Sequence, residues 1–427
     1  MQEVCHSTAV PARRVPTGGA GCRPAASAAC PAPGGHRPQH GAEPSSAAYR
    51  PLTYTQAVSV IEAEPGFLSL GQPIARRVLQ EAAGRDRLGR TILVHGPRGA
   101  GKGAFVDDVL ALLLCGESAA DRRPCNACRA CRDARSRAHP DLVVGSPERW
   151  RDDRSTGESI VAAARRWLLE SAGTPIAGAR RVILVEGVDR AGEPVQNALL
   201  KALEEPSSRQ VFVLVADDLG RVLPTIVSRS QSLRVGAVPR AELVAWLVDR
   251  ERLPADQADA LARIAEGLPG RAIGFARQPE LVEWRRRTQA ELLALLERGR
   301  ADRFASVRDL LDAAPRVEPA GAEEPPPPAP DDPTPARPAA AAQRAAALAI
   351  VDAWQALVRD LIVAAAGRPA LAPAAQLLPE LEPMAGRLRP AALVDFAALL
   401  ERIRDGLLEN AAPRLALERA MLTWPDV

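Results

Sequence analysis

The stretch TILVHGPRGAGKG, residues 91–103, carries a short apolar run into a glycine-rich loop that ends in Lys102. Ile92, Leu93 and Val94 have the composition of a buried strand, and residues 104–114, AFVDDVLALLL, that of a helix. Between them, Gly96, Gly101 and Lys102 satisfy the spacing G-x-x-x-x-G-K, in which backbone N–H groups wrap a phosphate and the ammonium reaches its β and γ oxygens. The next residue of such loops normally offers magnesium a hydroxyl, and here it is Gly103. ATP is therefore a compatible ligand, while hydrolysis is not expected. A glycine-rich strand-to-helix turn that binds nothing is the alternative use of the same residues.

The 427 residues suffice for two or three domains with cores of their own. Lys and Arg number 55 against 52 Asp and Glu, and a net charge of +3 gives no independent argument for nucleic-acid binding. Neither an apolar run of about 18 residues nor a signal-type N-terminus occurs, so a cytoplasmic protein is expected. Residues 1–46 are rich in Ala, Pro, Gly and Arg and scatter Cys5, Cys22 and Cys30 without metal-like spacing. Such a composition buries too little surface to offset its ordering entropy. Residues 1–53 therefore read as a disordered extension or as an over-extended reading frame.

Residues 71–84, GQPIARRVLQEAAG, read as a helix that starts near Pro73, since Gly71 supplies a turn and proline fits the first helical turn. Behind the glycine loop, LLLCGESAADRRPCNACRACRD places Cys115, Cys125, Cys128 and Cys131 at C-x9-C-x2-C-x2-C. Four thiolates in one short insertion suit a tetrahedral zinc site, structural rather than catalytic because no position is left for water. A disulfide pair, disfavoured in a reducing cytosol, and an iron–sulfur cluster, with different usual spacings, are the competing uses.

Further along, His139, Pro140 and Asp141 close a loop before a strand at 142–144, and residues 159–171 repeat apolar positions at helical spacing. The apolar run at 181–187 ends in Glu186 and Gly187, where a P-loop ATPase has an Asp for magnesium and a Glu to activate water. Asp189 lies past the strand and reads as a cap or a surface ion pair. A helix at 196–204, a strand at 211–215, a helical turn at 223–227 followed by Ser228 and Arg229, and a strand at 233–235 come next. This alternation implies an α/β fold, a parallel sheet with helices on both faces.

Taken together, GQPIARRVL, GPRGAGKG, the cysteine insertion, HPD, RVILVEGVDRA, NALLKALEEPS, VLPTIVSRSQ and GLPGRA resemble the bacterial replicative clamp loaders of the AAA+ class. The likeness is dense over residues 68–276 and returns at 354–364 and 410–418. It implies an AAA+ P-loop core at 54–236 with a zinc module at 115–131, a small helical lid at 237–278 and an all-helical collar at 279–427. Hydrolysing gamma/tau subunits carry a P-loop Thr or Ser, an Asp-Glu pair and a Thr or Asn sensor; this chain has Gly103, Glu186 with Gly187, and Ala216 with Asp217.

These departures, the Asp189-Arg190 pair and the lack of a tau-type extension favour the delta-prime branch of DNA polymerase III, although Ser230 replaces a family cysteine and the N-terminal tail is foreign to it. The resemblance then implies a largely ATPase-inactive stator in a hetero-oligomeric ring with gamma/tau and delta subunits, which helps load a sliding clamp onto primed DNA. It also implies that Arg229, beside Ser228, acts in trans on a neighbour's nucleotide, and that Arg271 faces the chain's own nucleotide from the lid. An ATP-hydrolysing gamma/tau-type subunit and a zinc-bearing nucleic-acid adaptor are the alternatives. Residues 281–311 read as helix interrupted near Gly299, 313–338 as a Pro-rich extended spacer, and 339–366 and 390–409 as helices with apolar stripes.

Overall fold

The computed structural model describes residues 66–314 and 336–425, apart from residues 86, 156, 205, 206, 208 and 377. The expected N-terminal extension and most of the Pro-rich spacer lie outside the described residues. Five strands, β1 (Thr91–His95), β2 (Leu142–Gly145), β3 (Arg181–Val185), β4 (Gln210–Ala216) and β5 (Gln231–Arg234), form one sheet in the order β2-β3-β4-β1-β5, every pair parallel.

The inner strands β1, β3 and β4 are mostly apolar because both faces are covered, whereas the edge strand β5, QSLR, buries only Leu233. On one face Ile92, Val94, Val182, Leu184 and Val213 pack under α1 (Pro73–Gly84) and α2 (Lys102–Leu114). On the other, Leu93, Ile183, Val185, Phe212 and Leu214 pack with Trp150 of α4 (Pro147–Asp152), Ala163 and Ala164 of α5 (Ile160–Ser171) and Leu199 of α6 (Glu193–Glu204). Alternate residues of a strand point to opposite faces, so a sheet buried on both sides needs an apolar residue at each position. Between α2 and β2 stands α3 (Arg129–Arg135), and α7 (Pro224–Ser228) precedes β5.

Several boundaries differ from the sequence reading. β3 stops at Val185 rather than reaching residue 187, because Gly187 turns the backbone at φ +64°. The helix expected from residue 196 starts at Glu193, with Pro194 in a first turn that needs no N–H from it. Helix α4 is absent from the sequence reading, yet its signal is present: Ser146 caps it by accepting from the Arg149 N–H at 3.2 Å, and Pro147 opens it.

Two helical groups follow the sheet. Helices α8 (Arg240–Arg250), α9 (Ala255–Ile264) and α10 (Pro269–Arg277) close around Leu243, Leu247, Leu261 and Phe275. Helices α11 (Pro279–Ala294), α12 (Arg300–Ala313), α13 (Ala336–Ala365), α14 (Leu381–Ala385), α15 (Pro390–Leu408) and α16 (Pro413–Thr423) share a core with Trp354, Phe396 and Trp424 at its centre. The rings of Phe396 and Trp424 lie 4.6 Å apart. Helix α13 begins at Ala336, three residues inside the segment read as an extended spacer; Pro338 falls in its first turn, where proline is tolerated. Among the described residues no helix is long and apolar enough to cross a membrane.

Candidate functional site

The carboxyl ends of β1, β3 and β4 deliver the glycine loop, Glu186 and Asp217 to one edge of the sheet, where open α/β folds place their ligands. Gly96 leaves β1 at φ +152°, and a Cβ there would stand 1.8 Å from the Val235 carbonyl oxygen, so no larger residue fits. At φ +82°, Gly99 lies against Arg271, and its carbonyl accepts from the Gly270 N–H at 2.8 Å. Gly101 precedes α2, whose first residue is Lys102. A Cβ on Gly103 would meet nothing within 4 Å, so packing does not require the loss of a side chain at that position.

Lys102 is only 8% exposed. Its ammonium donates to the carbonyls of Gly96 at 2.6 Å and Pro97 at 2.9 Å and pairs with Asp217 at 2.7 Å. Glu186 is paired too: Arg137, from the loop after α3, bridges it to Asp107 of α2, with 3.2 Å to the latter. Asp189, read as a helix cap or a surface ion pair, is 5% exposed and so is no surface pair. Its Oδ2 accepts the N–H groups of Asp217 and Asp218 at 3.1 Å each, bracing the chain as it leaves β4. Burial pushes the Asp189 carboxyl up, against the pull of the Asp218 N–H.

The two arginines singled out by the sequence lie apart from this cluster. Arg229 follows α7; its guanidinium pairs with Glu204 at 2.8 Å and donates to the Thr225 carbonyl at 3.2 Å, and both charged partners are nearly half exposed. Ser228 Oγ also donates to the Thr225 carbonyl, at 3.1 Å. The backbone of Arg271 touches the glycine loop, whereas its guanidinium turns to Glu266 at 3.3 Å and Asp352 of α13 at 3.2 Å.

The cysteines converge as their spacing foretold. The sulfurs of Cys115, Cys125, Cys128 and Cys131 all lie within 4.8 Å of one another, and Cys125 and Cys131 are 4.0 Å apart. Metal–sulfur bonds of about 2.3 Å in a tetrahedron put the sulfurs about 3.8 Å apart, whereas a disulfide needs about 2.05 Å. Backbone N–H groups point at the sulfurs: Cys128 N–H at Cys125 at 3.4 Å and Cys131 N–H at Cys128 at 3.3 Å, the arrangement that favours thiolates. Against burial, which raises it, the N–H groups of Gly116 and Cys131 bring the Cys128 thiol down to about 6. The insertion is tied to the P-loop helix through Arg135, which pairs with the buried Asp108 of α2 at 2.7 Å and also holds Asn126.

Residues 71–238, from the turn before α1 to the start of the first helical group, match the family model described as DNA polymerase III, delta subunit. Over that span the chain is similar to the DNA polymerase III delta-subunit family. DNA polymerase III subunit delta' of Pseudomonas aeruginosa is 31% identical over 192 residues, which cover 45% of this chain and 56% of the relative. The corresponding Bacillus subtilis protein is 28% identical over 242 residues, covering 56% and 69%. Subunit tau of Bacillus subtilis is similar at 25% identity, covering 46% of this chain and 34% of its own. The chain thus spans little more than half the length of the Pseudomonas relative.

Within the matched region, sequence reasoning identified the loop and the cysteines but not the partners of the loop's charges. Asp217 stood out as a departure from the usual sensor residue, and nothing in its neighbourhood announced a pairing with Lys102. Arg137 gave no signal, because its reach depends on a left-handed backbone at φ +58° that returns it to the end of β3.

Proposed function

We propose that this chain is a delta-prime-type subunit of a DNA polymerase III clamp loader, a stator without ATPase activity of its own that helps set a sliding clamp on primed DNA. Gamma/tau-type and delta-type subunits are its partners in a hetero-oligomeric ring. The observation that carries this reading is the state of the second acidic motif: Arg137 occupies Glu186 and Asp107 together, and Gly103 offers no hydroxyl, so the ligands of a catalytic magnesium are missing or paired. The family match over residues 71–238 supports the assignment.

On this reading the cysteine cluster holds a structural zinc ion, helices α8–α10 are the lid, α11–α16 form the collar, and Arg229 reaches the nucleotide of a neighbouring ATPase subunit. An exposed ion pair such as Arg229–Glu204 is worth about 0–1 kcal/mol. Exchange of Glu204 for a phosphate that accepts two hydrogen bonds is therefore inexpensive. Such arginines contribute about 10³–10⁵ in rate in phosphoryl transfer. In the reconstituted loader with clamp and primed DNA, Arg229→Ala and Arg229→Lys should both lower ATP turnover steeply while the complex still assembles on gel filtration, since lysine lacks the planar fork. Unchanged turnover in an assembled Arg229→Ala complex removes the trans role.

The tau likeness supports a second reading, an ATP-hydrolysing gamma/tau-type subunit. Substantial ATP turnover by the isolated chain would favour it. Recovery of tau and delta with the tagged chain from a cell extract would place it in the loader under either reading.

A further inference from the structure

Lys102 is the group a P-loop uses to hold terminal phosphates, and here all its donors are engaged. An ammonium has three N–H bonds; those of Lys102 have three partners, Gly96 O, Pro97 O and Asp217 Oδ1, at 2.6, 2.9 and 2.7 Å. Asp217 also lies 3.6 Å from Arg98, on the loop itself, and 3.9 Å from Arg190, through its other oxygen. One carboxylate thus sits among three cations.

Its position is set by the backbone. Asp217 follows directly on Ala216, which pairs in register with His95 of β1 and accepts from the Gly96 N–H at 3.2 Å. The Asp217 N–H is held by the buried Asp189. The side chain therefore stands at the mouth of the loop as part of the sheet edge.

We infer that the glycine loop is a latent phosphate site kept closed by Asp217, whose carboxylate takes the place on Lys102 that the terminal phosphate of a nucleoside di- or triphosphate would take. This rests on reading residues 96–103 as a phosphate cradle. An entering phosphate must displace a partly buried, hydrogen-bonded ion pair and then share the pocket with the released carboxylate, and both steps oppose binding. With an amide at 217 the negative charge is gone while Lys102, Arg98 and Arg190 remain. The wild-type loop is thereby silent toward nucleotide although its backbone is formed, and a single carboxylate sets that silence.

The test is calorimetric titration of the full chain with inorganic pyrophosphate and, separately, with ATP. Asp217→Asn and Asp217→Ala should bind both at least about tenfold more tightly than wild type, with a rise in melting temperature on adding pyrophosphate. The double variant Lys102→Met/Asp217→Asn should return to the wild-type response. Folded Asp217 variants that bind no better, or a gain that persists in the double variant, would overturn the inference. A wild-type chain whose melting temperature climbs with millimolar pyrophosphate overturns it whatever the variants do. Whether tau and delta are recovered with the wild-type chain judges the clamp-loader assignment separately, since that result does not depend on an anion in the loop.

Discussion

Asp141, at the start of β2, shows how one buried carboxylate organises a loop far from it in sequence. It is inaccessible to solvent and accepts the N–H groups of Ile176, Ala177 and Gly178, the last two at 2.8 and 2.7 Å, so that the chain entering β3 is pinned beside β2. Burial raises its carboxyl, but the three N–H groups outweigh burial and hold it below the ordinary 3.8. A depressed folded-state value stabilises the fold fully above 3.8, and the contribution fades as pH falls below 3.8 through the folded-state value. Asp141→Asn, which keeps the shape and loses the charge, should cost about 1.5–3 kcal/mol at neutral pH. Urea midpoints measured from pH 7 downward should show the wild-type advantage constant until the carboxylate begins to protonate and shrinking thereafter. An advantage that does not change with pH would mean that the charge is not what the loop recognises.

At the scale of elements, the cysteine insertion is the part of the core least able to hold itself together by apolar burial. Its own cluster consists of Ala111 and the four cysteines, and apart from the buried Ala134 of α3 its described ties to the core are largely polar, chiefly Arg135 to Asp108 and Asn126 to the Gly66 carbonyl at 2.8 Å. Metal binding supplies about 10–16 kcal/mol in small zinc peptides, so a substantial part of this stabilisation should pass to the P-loop helix through Asp108. The purified chain should contain one equivalent of zinc by elemental analysis. Cys128→Ser should lower the melting temperature by several degrees, and a strong chelator should reproduce that loss in wild type. Iron in place of zinc, or no metal at all, would contradict the structural zinc site.

At the scale of the whole described region, the glycine loop is joined to the C-terminal helices by an ionic network. The Gly99 carbonyl holds the start of α10, and Arg271 on α10 reaches Glu266 and Asp352. Arg285 of α11, 8% exposed, also faces Asp352, at 3.7 Å, and Arg359 of α13 pairs with Glu266. Burial draws the Arg285 guanidinium below its usual value, and Asp352 is the largest influence opposing it. Removing Asp352 strands charge that is costly to leave unpaired, though its own partial exposure moderates the effect. Asp352→Ala should therefore lose about 1–3 kcal/mol in urea unfolding, more than the exposed pair Arg414–Glu418 of α16, whose removal should stay within about 1 kcal/mol. Equal losses in the two variants would deny the network a special place.

Much of this molecule was legible in the residues alone, because the signals concerned are local. Four of the five strands are largely apolar runs of strand length, the glycine loop is recognisable by spacing, and the four cysteines lie within one short insertion, so each could be read without knowing what lies across the sheet. The interruption at Gly299 and the apolar stripe of α13 are of the same kind. Only the tertiary structure decided where the charges go. Lys102 meets Asp217 because β1 and β4 are neighbours in register, Arg137 meets Glu186 across 49 positions of chain, and Arg271 meets Asp352 across 81. A long arginine or lysine side chain carries no sequence mark of the carboxylate it will find. Burial determines that it must find one, and the packing of strands and helices determines which.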